Sequence, residues 1–404
     1  MPKDNFLQLF RSTCEDIRNG IMTKVLLTSV FKPFGIDDMY SRKGSIVEIF
    51  HNQLTVHQGI FSIRGYYNSY GINVIGANID TPTTVLDFPT LDRFRRELKK
   101  GYDIVGISSL AVNIQKVKRM AEEVRRISPK SKIVLGGFCA AAENIERIVD
   151  VDYVCIGEGI SFMRDLLGKA EEFKFRHPTV LSEAIRILGV PMFFNNKHPY
   201  IIAGLGCSYG CGFCTPSHFF GKKHIEYLKS GKEIFEVAQH LSKISHSNTF
   251  TVIGDDNFLL SEERAMELRE QMLKHDAPYN YFIFASADKL INYDPVVLAE
   301  MGINAVWIGR ETKFVHYGKN YQLDLKLMVA NLRKHGIKTT MSSMLMVDQH
   351  TKENIFEDID DHIDTKPVFS QFAQFSPAPG TPLYDRIKEE GRFPVGLVSK
   401  TFTQ

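Results

Sequence analysis

Three cysteines within a span of eight residues constrain this chain more than any other feature. The stretch Gly204 to Thr215 reads GLGCSYGCGFCT, with Cys207, Cys211 and Cys214 in a C-x3-C-x2-C pattern. A strand-like run, Pro199–Ala203, leads into it, and a helical run follows. Thiols this close together, in a chain with no mark of secretion, point to a metal or a cluster rather than to disulfides. Three thiolates are one short of the four that usually hold a 4Fe-4S cluster. An iron left without a thiolate is an open coordination site, where chemistry can occur. Glycines at 204, 206, 210 and 212 let the backbone wrap closely around a bulky inorganic core. A zinc ion completed by His218 or His224 is the other metal reading, and three unrelated free thiols the plainest one.

At 404 residues the chain is long enough for two or three domains with proper cores. Net charge is +2, so no basic footprint argues for nucleic acid. No apolar run approaches a membrane span, and the start, MPKDNFLQLF, lacks a signal-peptide core. A reducing cytoplasm is the expected setting. Cys14, Cys139 and Cys155 are scattered, and Cys155 reads as a small buried hydrophobe.

Up to about residue 165 strands and helices alternate. After an amphipathic lead-in at 1–20, strands are expected at Lys24–Val30, Asn73–Ile79, Asp103–Ser108, Lys132–Leu135 and Asp152–Ile156. Helical spacing runs through 46–69, Leu91–Lys100, Ile114–Ile127 and 142–149. Such alternation implies right-handed βαβ units and a parallel sheet covered on both faces. Ligands of such sheets sit beyond the carboxyl ends of the strands. Those ends carry Ser108-Ser109, Gly136-Gly137 and Gly157-Glu158-Gly159. Residues 166–198 read as an ordered, proline-punctuated linker with a helix at 180–188 and an apolar pair, Phe193-Phe194.

From residue 199 the pattern resumes. Strands are expected at Thr249–Gly254, Asn280–Ser286, Ala305–Gly309, Lys338–Met346 and Val368–Phe375, each followed by a helix. With the strand before the cysteines this makes six βα units, a sheet of the barrel kind left open on one side. Active groups belong at the carboxyl ends of such strands, where the cysteine loop falls.

The cysteine stretch resembles the cluster-binding loop of the radical S-adenosylmethionine (SAM) superfamily. The resemblance implies a 4Fe-4S cluster on Cys207, Cys211 and Cys214, whose fourth iron chelates SAM and whose electron cleaves it to a 5′-deoxyadenosyl radical. Phe213 occupies the family's aromatic place beside the adenine. Gly254-Asp255-Asp256 resembles the motif that contacts the SAM amino group, although either aspartate also suits an Asx turn or helix cap. Ser286 ends the third strand. Gly309-Arg310-Glu311-Thr312 resembles the family's G-x-E-S, so that Arg310 and Glu311 either contact SAM or pair with each other. SPAPGTPLY at 376–384 resembles the ending of cobalamin-type members, with Pro377, Pro379 and Gly380 shaping a turn. The HFFGKKH segment, with His218, Lys222, Lys223 and His224, faces an anionic substrate group or caps the barrel. Tyr209 and Tyr384 fall where a radical passes near, or simply pack.

Residues 20–165 resemble the cobalamin-binding domain that precedes many radical SAM enzymes, through GISSLAVNI, the VLGG run and DYVCIGEG in order. By that resemblance cobalamin lies near Ser108, Ser109, Gly136, Gly137, Gly157 and Glu158. The first loop reads FKPFGIDDMY and lacks the cobalt-ligating histidine of a D-x-H-x-x-G motif; His51 and His57 fall in the helical stretch instead.

The implied fold is α/β: a flavodoxin-like, Rossmann-type cobalamin-binding domain at 1–165, a linker at 166–198, and a partial (β/α)6 radical SAM barrel at 199–404 with a short tail. The implied function is cobalamin-dependent C-methylation of an unactivated carbon in a small molecule or lipid, with an electron donor such as flavodoxin or ferredoxin. Cyclisation, rearrangement or carbon–carbon coupling on the same cofactors is the second enzyme reading, and a cobalamin- or iron–sulfur-binding sensor the non-enzyme one. No side chain is assigned as catalytic. The early end after the sixth strand is expected to mean a truncated gene, a lid supplied by a partner, or an open site.

Overall fold

The computed structural model describes residues 23–32, 68–182, 186–187, 190–191, 198–245, 251–315, 317–320 and 322–393. The expected lead-in at 1–20, Cys14, the first loop beyond Lys32, most of the helical stretch 46–69 with His51 and His57, and Phe193-Phe194 lie outside the described residues. The chain divides into two compact units, Met1–Asn195 together with Tyr384–Gln404, and Asn196–Leu383.

The first unit is built on strands β1 (Val25–Ser29), β2 (Thr83–Leu86), β3 (Ile104–Ser108), β4 (Lys132–Gly136) and β5 (Tyr153–Val154). They run parallel in the order β2-β1-β3-β4-β5. This is the doubly wound, flavodoxin-like order. Alternate side chains leave opposite faces of a strand, and the sheet therefore has two cores. Leu26, Val105, Ile107, Ile133 and Leu135 pack under helices Leu91–Leu98 and Ile114–Ile127 through Phe94, Val117, Met120 and Val124. Val25, Leu27, Ile104 and Val134 pack on the other face with Ile72, Ile79 and Met163. Cys155 belongs to that second core and is a free, buried thiol.

Two expectations are corrected here. Asn73–Ile79 is not a strand: residues Tyr70–Asn78 form a helix, and the strand of that unit is Thr83–Leu86. The β-branched run suggested extended chain, but Ile72 and Ile79 stand seven residues apart, two helical turns, and both enter the core. The helix expected at 180–188 is also absent: Leu181–Ser182 and Arg186–Ile187 are short strands, the latter paired antiparallel with Val190–Pro191.

The second unit carries β6 (His198–Ile202), β7 (Thr251–Gly254), β8 (Tyr281–Phe284), β9 (Ile303–Glu311), β10 (Lys338–Leu345) and β11 (Phe369–Gln374). Each is parallel to the next in chain order. Helices Gly231–Ser245, Glu262–Lys274, Pro295–Glu300, Leu325–Lys334 and Asn354–Asp364 connect them. Parallel strands taken in sequence and linked by helices make a barrel wall, open here because β11 ends the order. One face is sealed by the helices: Ile201, Ile253, Tyr281, Ile283, Val306, Ile308 and Met341 are fully buried. None of the helices among the described residues is long and apolar enough to cross a membrane.

At Gly231, the first residue of its helix, the backbone of helix Glu262–Lys274 comes so close that an added Cβ would collide with Leu268 N and Arg264 O. Backbone cannot rotate aside as a side chain does, so Gly231→Ala is expected to destabilise the second unit by about 1–3 kcal/mol or more. Urea unfolding of the variant against the parent checks this.

Candidate functional site

The cysteine loop leaves the sheet through a small antiparallel ribbon in which Gly204 pairs with Glu226 and Leu205 with Ile225. Asp255, at the end of β7, pins this ribbon. Its carboxylate takes hydrogen bonds from Arg264 Nη2 (2.7 Å) and Asn257 N (3.0 Å) and lies 2.9 Å from His224 Nε2. Burial pushes the Asp255 carboxyl up, but His224 and Arg264 outweigh it and hold the group below the usual carboxylate range. Arg264 is itself fully buried and reaches Leu228 O at 3.3 Å. Gly204 is glycine because a Cβ there would stand 2.6 Å from Asp255 Oδ2. That is a requirement of the protein's own packing, beside any need to approach a cluster.

Within the loop the three thiols are free and half-buried. The loop is shaped by its own backbone: Ser217 Oγ donates to Cys207 O (2.6 Å) and accepts from Gly210 N (3.0 Å), and Cys214 N donates to Cys211 O (2.9 Å). Burial pushes all three thiols up, Cys214 to about 11, so binding iron must displace their protons. Leu383 N, at the end of the SPAPGTPLY segment, donates to Gly212 O at 3.0 Å. The two histidines of the zinc reading are engaged elsewhere, His218 Nε2 against Cys211 O at 3.1 Å and His224 on Asp255. Among the described residues no three His, Cys, Asp or Glu side chains converge on one metal ion. A cluster gives each thiolate its own iron and needs no such convergence.

Around the loop stand the carboxyl ends of the next strands. Asp256 accepts from Gly206 N at 2.5 Å and keeps an exposed side. Protein crowding on its other sides, then the neighbouring Asp255, raise its carboxyl to about 6. Ser286 is locked to Asn257, whose Nδ2 donates to Ser286 Oγ at 2.9 Å. Tyr209 of the loop donates its hydroxyl to Asp288 Oδ2, while Asp288 Oδ1 is buried without a hydrogen-bond partner. Glu311 sits at φ +65° with its carboxylate on Lys319. Lys319 Nζ stands 5.7 Å from the ring centre of Phe213; burial lowers its ammonium, but the charge and hydrogen bond of Glu311, with smaller help from Cys211 and Cys214, outweigh burial and raise it. Asn320 Oδ1, beside it in the chain, is a second buried acceptor without a partner. Unspent acceptors, an open carboxylate and three free thiols fit a polar cofactor with a cationic group next to an iron–sulfur cluster.

Lys319 is a member of this site that the sequence pattern did not reveal; it lies in a short GKN turn eight residues beyond Glu311, with no local signal. Arg310 differs from expectation in the opposite direction. It does not pair with Glu311: its guanidinium is buried on the helix side, on Asp358 (2.7 Å), Asp361 (2.5 Å) and Ser343 (3.0 Å). A strand sends neighbouring side chains to opposite faces, and this separates Arg310 from Glu311. Asp255 and Arg310 thus have their charges taken up inside the protein. Lys222 and Lys223 are exposed, and the Tyr384 ring packs 5.0 Å from that of Phe393.

In the first unit the expected cobalamin contacts cluster at the carboxyl ends of β3, β4 and β5. Ser109 N donates to Gly136 O (3.1 Å), and Cys139 N to Ser109 O (3.0 Å), which knits Ser108, Ser109, Gly136 and Gly137 into one rim. Glu158 caps helix Gly159–Leu166, accepting from Ile160 N (2.8 Å) and Ser161 N (2.7 Å), with Gly157 just before it. Leu110, Val112 and Ile156 leave the same strand ends and are 41%, 48% and 62% exposed. Small residues ringed by exposed apolar ones fit a large, partly apolar ligand.

The chain is similar to several known proteins. The B12 binding domain family matches residues 53–167. The chain is 26% identical to the bacteriochlorophyllide d C-12(1)-methyltransferase of Chlorobaculum tepidum, over 76% of this chain and 71% of that protein. It is 22% identical to the bacteriochlorophyllide d C-8(2)-methyltransferase of the same organism, over 72% and 69%. Among solved structures, the radical S-adenosylmethionine methyltransferase TsrM from Kitasatospora setae, with cobalamin and a 4Fe-4S cluster bound, superposes with a TM-score of 0.65 at 14% identity, over 92% of this chain and 78% of that one. That likeness is one of fold: a doubly wound parallel sheet and an open half-barrel of parallel strands. The chain thus carries a segment that matches the B12 binding domain family and is similar over most of its length to proteins named as methyltransferases.

Two outcomes follow from the buried networks. Asp255→Ala leaves the Arg264 guanidinium buried without its carboxylate, and is expected to cost about 3–5 kcal/mol in urea unfolding. His362 is fully buried against Ser343 Oγ (2.7 Å), and burial, then the Arg310 charge, lower it from 6.5 to about 4. The folded protein therefore holds this proton less tightly than the unfolded chain. The contribution of His362 is full above pH 6.5 and is lost as pH falls from there through about 4. Thermal midpoints measured across that window should fall less steeply for His362→Asn.

Proposed function

We propose that the protein is a cobalamin-dependent radical SAM methyltransferase that adds a methyl group to an unactivated carbon of a small-molecule or lipid substrate. The observation that carries this reading is the glycine loop with three free, half-buried thiols at the carboxyl end of the first half-barrel strand, in a chain that also matches the B12 binding domain family. The relatives named as methyltransferases support methyl transfer over other outcomes on the same cofactors. Free thiols and an oxygen-sensitive cluster suit a reducing cytoplasm and an electron donor such as flavodoxin or ferredoxin.

When bound, the cluster with SAM and cobalamin supply a radical and a methyl group that no side chain can supply. The chain's own residues hold, orient and shield. Cys207, Cys211 and Cys214 would hold the cluster as thiolates. Asp256 offers an open carboxylate to the SAM ammonium, a charge-assisted contact. Ser286, Asp288 and Glu311 offer further acceptors at neighbouring strand ends, and Phe213 a ring edge for the adenine. Lys319 balances Glu311 beside the thiols. Asp255 and Arg310 act as positioning residues for the loop and for the end of β9. Ser108, Ser109, Gly136, Gly137, Gly157 and Glu158 would form the cobalamin rim.

The test is anaerobic reconstitution with iron, sulfide and hydroxocobalamin, followed by metal analysis and an assay of 5′-deoxyadenosine after SAM and reductant are added. Cluster, stoichiometric cobalt and deoxyadenosine are the expected result. The variant with Cys207, Cys211 and Cys214 all changed to Ala should lose cluster absorbance and deoxyadenosine while keeping cobalt. Deoxyadenosine without cobalt would remove the methyltransferase reading, and zinc in place of iron would remove the enzyme reading.

A further inference from the structure

The acceptors around the cysteine loop have an electrical consequence for whatever the thiols hold. Asp256 and Glu311 are carboxylates whose charges act on the sulfurs, Asp256 on Cys207 and Cys214 and Glu311 on Cys211, in each case against the ionised form. Negative charge beside an iron–sulfur centre likewise opposes the entry of an electron. One ammonium works the other way. The charge of Lys319 favours the ionised form of all three thiols.

That ammonium is built into its place. It pairs with Glu311, and the side chains of Lys319 and Glu311 are only 15% and 9% exposed. Nζ stands over the ring of Phe213, which lies between Cys211 and Cys214 in the chain, so the charge is set against the loop itself. Tyr317 meets the same ring edge-on at 5.0 Å. The short turn Gly318–Asn320 that carries Lys319 is fastened to the end of β9, where Asn320 Nδ2 donates to Gly309 O (2.8 Å) and Arg310 O (2.9 Å). Gly309 leaves the room that the pair needs, because a Cβ there would collide with the Glu311 carboxylate and stand 3.0 Å from Lys319 Nζ. A surface lysine swings freely and is screened by water. A desolvated one, held at its head and at its turn, does neither.

We infer that the Lys319 ammonium raises the reduction potential of the iron–sulfur cluster held by Cys207, Cys211 and Cys214, offsetting the carboxylates that face the same loop. This rests on the reading of the loop as a cluster site and deepens it. Carboxylates suit the capture of a cationic cofactor, but each makes the cluster harder for an external one-electron donor to reduce. A fixed cation paired with one of them counters that effect and leaves both carboxylates in the site. Net charge, hydrogen bonding and exposure set the potential of such clusters, and Lys319 acts through the first of these.

The test is anaerobic redox titration of the reconstituted full chain with titanium(III) citrate, without SAM, read by the EPR signal of the reduced cluster. The parent is compared with Lys319→Met, Glu311→Gln and the variant carrying both changes, and iron content shows that each holds a cluster. At a fixed solution potential, Lys319→Met should lower the ratio of reduced to oxidised cluster by about threefold or more, and Glu311→Gln should raise it by about as much. The double variant should return close to the parent, as should Lys319→Arg, which keeps the charge. Opposite signs from the two partners of one ion pair are the mark of charge, since loss of structure would move both the same way. Where Lys319→Met takes up no cluster, the fall from Glu311→Gln to the double variant reads the same charge without leaving a lone buried carboxylate. Unchanged potentials in all the variants, or shifts of one sign in both single variants, would overturn the inference and leave the enzyme reading standing. A parent that takes up no cluster would remove both.

Discussion

The Asp255 carboxylate is the fixed point of the second unit. It is 3% exposed and tied to Arg264, which is 1% exposed, and to His224. Two charges at that depth are tolerated only because each satisfies the other and both meet further hydrogen-bond partners. The arrangement has a mechanical result. His224 lies just before the returning arm of the ribbon, Gly204 begins the outgoing arm, and Arg264 belongs to the helix behind. One carboxylate therefore sets where the cysteine loop leaves the sheet. Asp256, the next residue, points the other way, takes Gly206 N, and keeps an exposed side. Adjacent aspartates with identical chemistry thus differ in setting: Asp255 is enclosed with Arg264 and His224, and Asp256 stays open beside the loop.

The same division recurs at β9. Arg310 turns into the helix layer, where Asp358, Asp361 and Ser343 consume its donors. Glu311, its neighbour, turns to the other face with Lys319. The positive φ of Glu311 and the register shift between Gly309 and Glu311 show the strand breaking its regular course there. Strand ends of a half-barrel thus present charge on one face while their buried counterparts lock the scaffold on the other. Rigid scaffold and open polar rim are the combination a site needs when the protein positions rather than performs the difficult chemistry.

Much of this was legible before any coordinates. The alternation of β-branched runs with helical spacing predicts most strands and helices to within a few residues, because each element buries one face and its period shows. It failed where period and composition disagreed: residues Tyr70–Asn78 have strand-like composition and a helical core face. The cysteine loop was also legible, because its three thiols lie close together in the sequence. Lys319 and Arg264 were not. A lysine in a turn and an arginine in a helix read as solvated charges, and only the fold brings one beside the thiols and buries the other.

What the sequence by itself determined is the set of elements, their order, and the three thiols with their spacing, since these depend on residues near one another along the chain. What only the tertiary structure decided is the allotment of charges: Asp255 to Arg264 and His224, Arg310 to Asp358, and Glu311 to Lys319. Those pairings join residues from different strands and helices. Which of two adjacent side chains faces the helices and which faces the opening is fixed by strand register, a property of the assembled sheet.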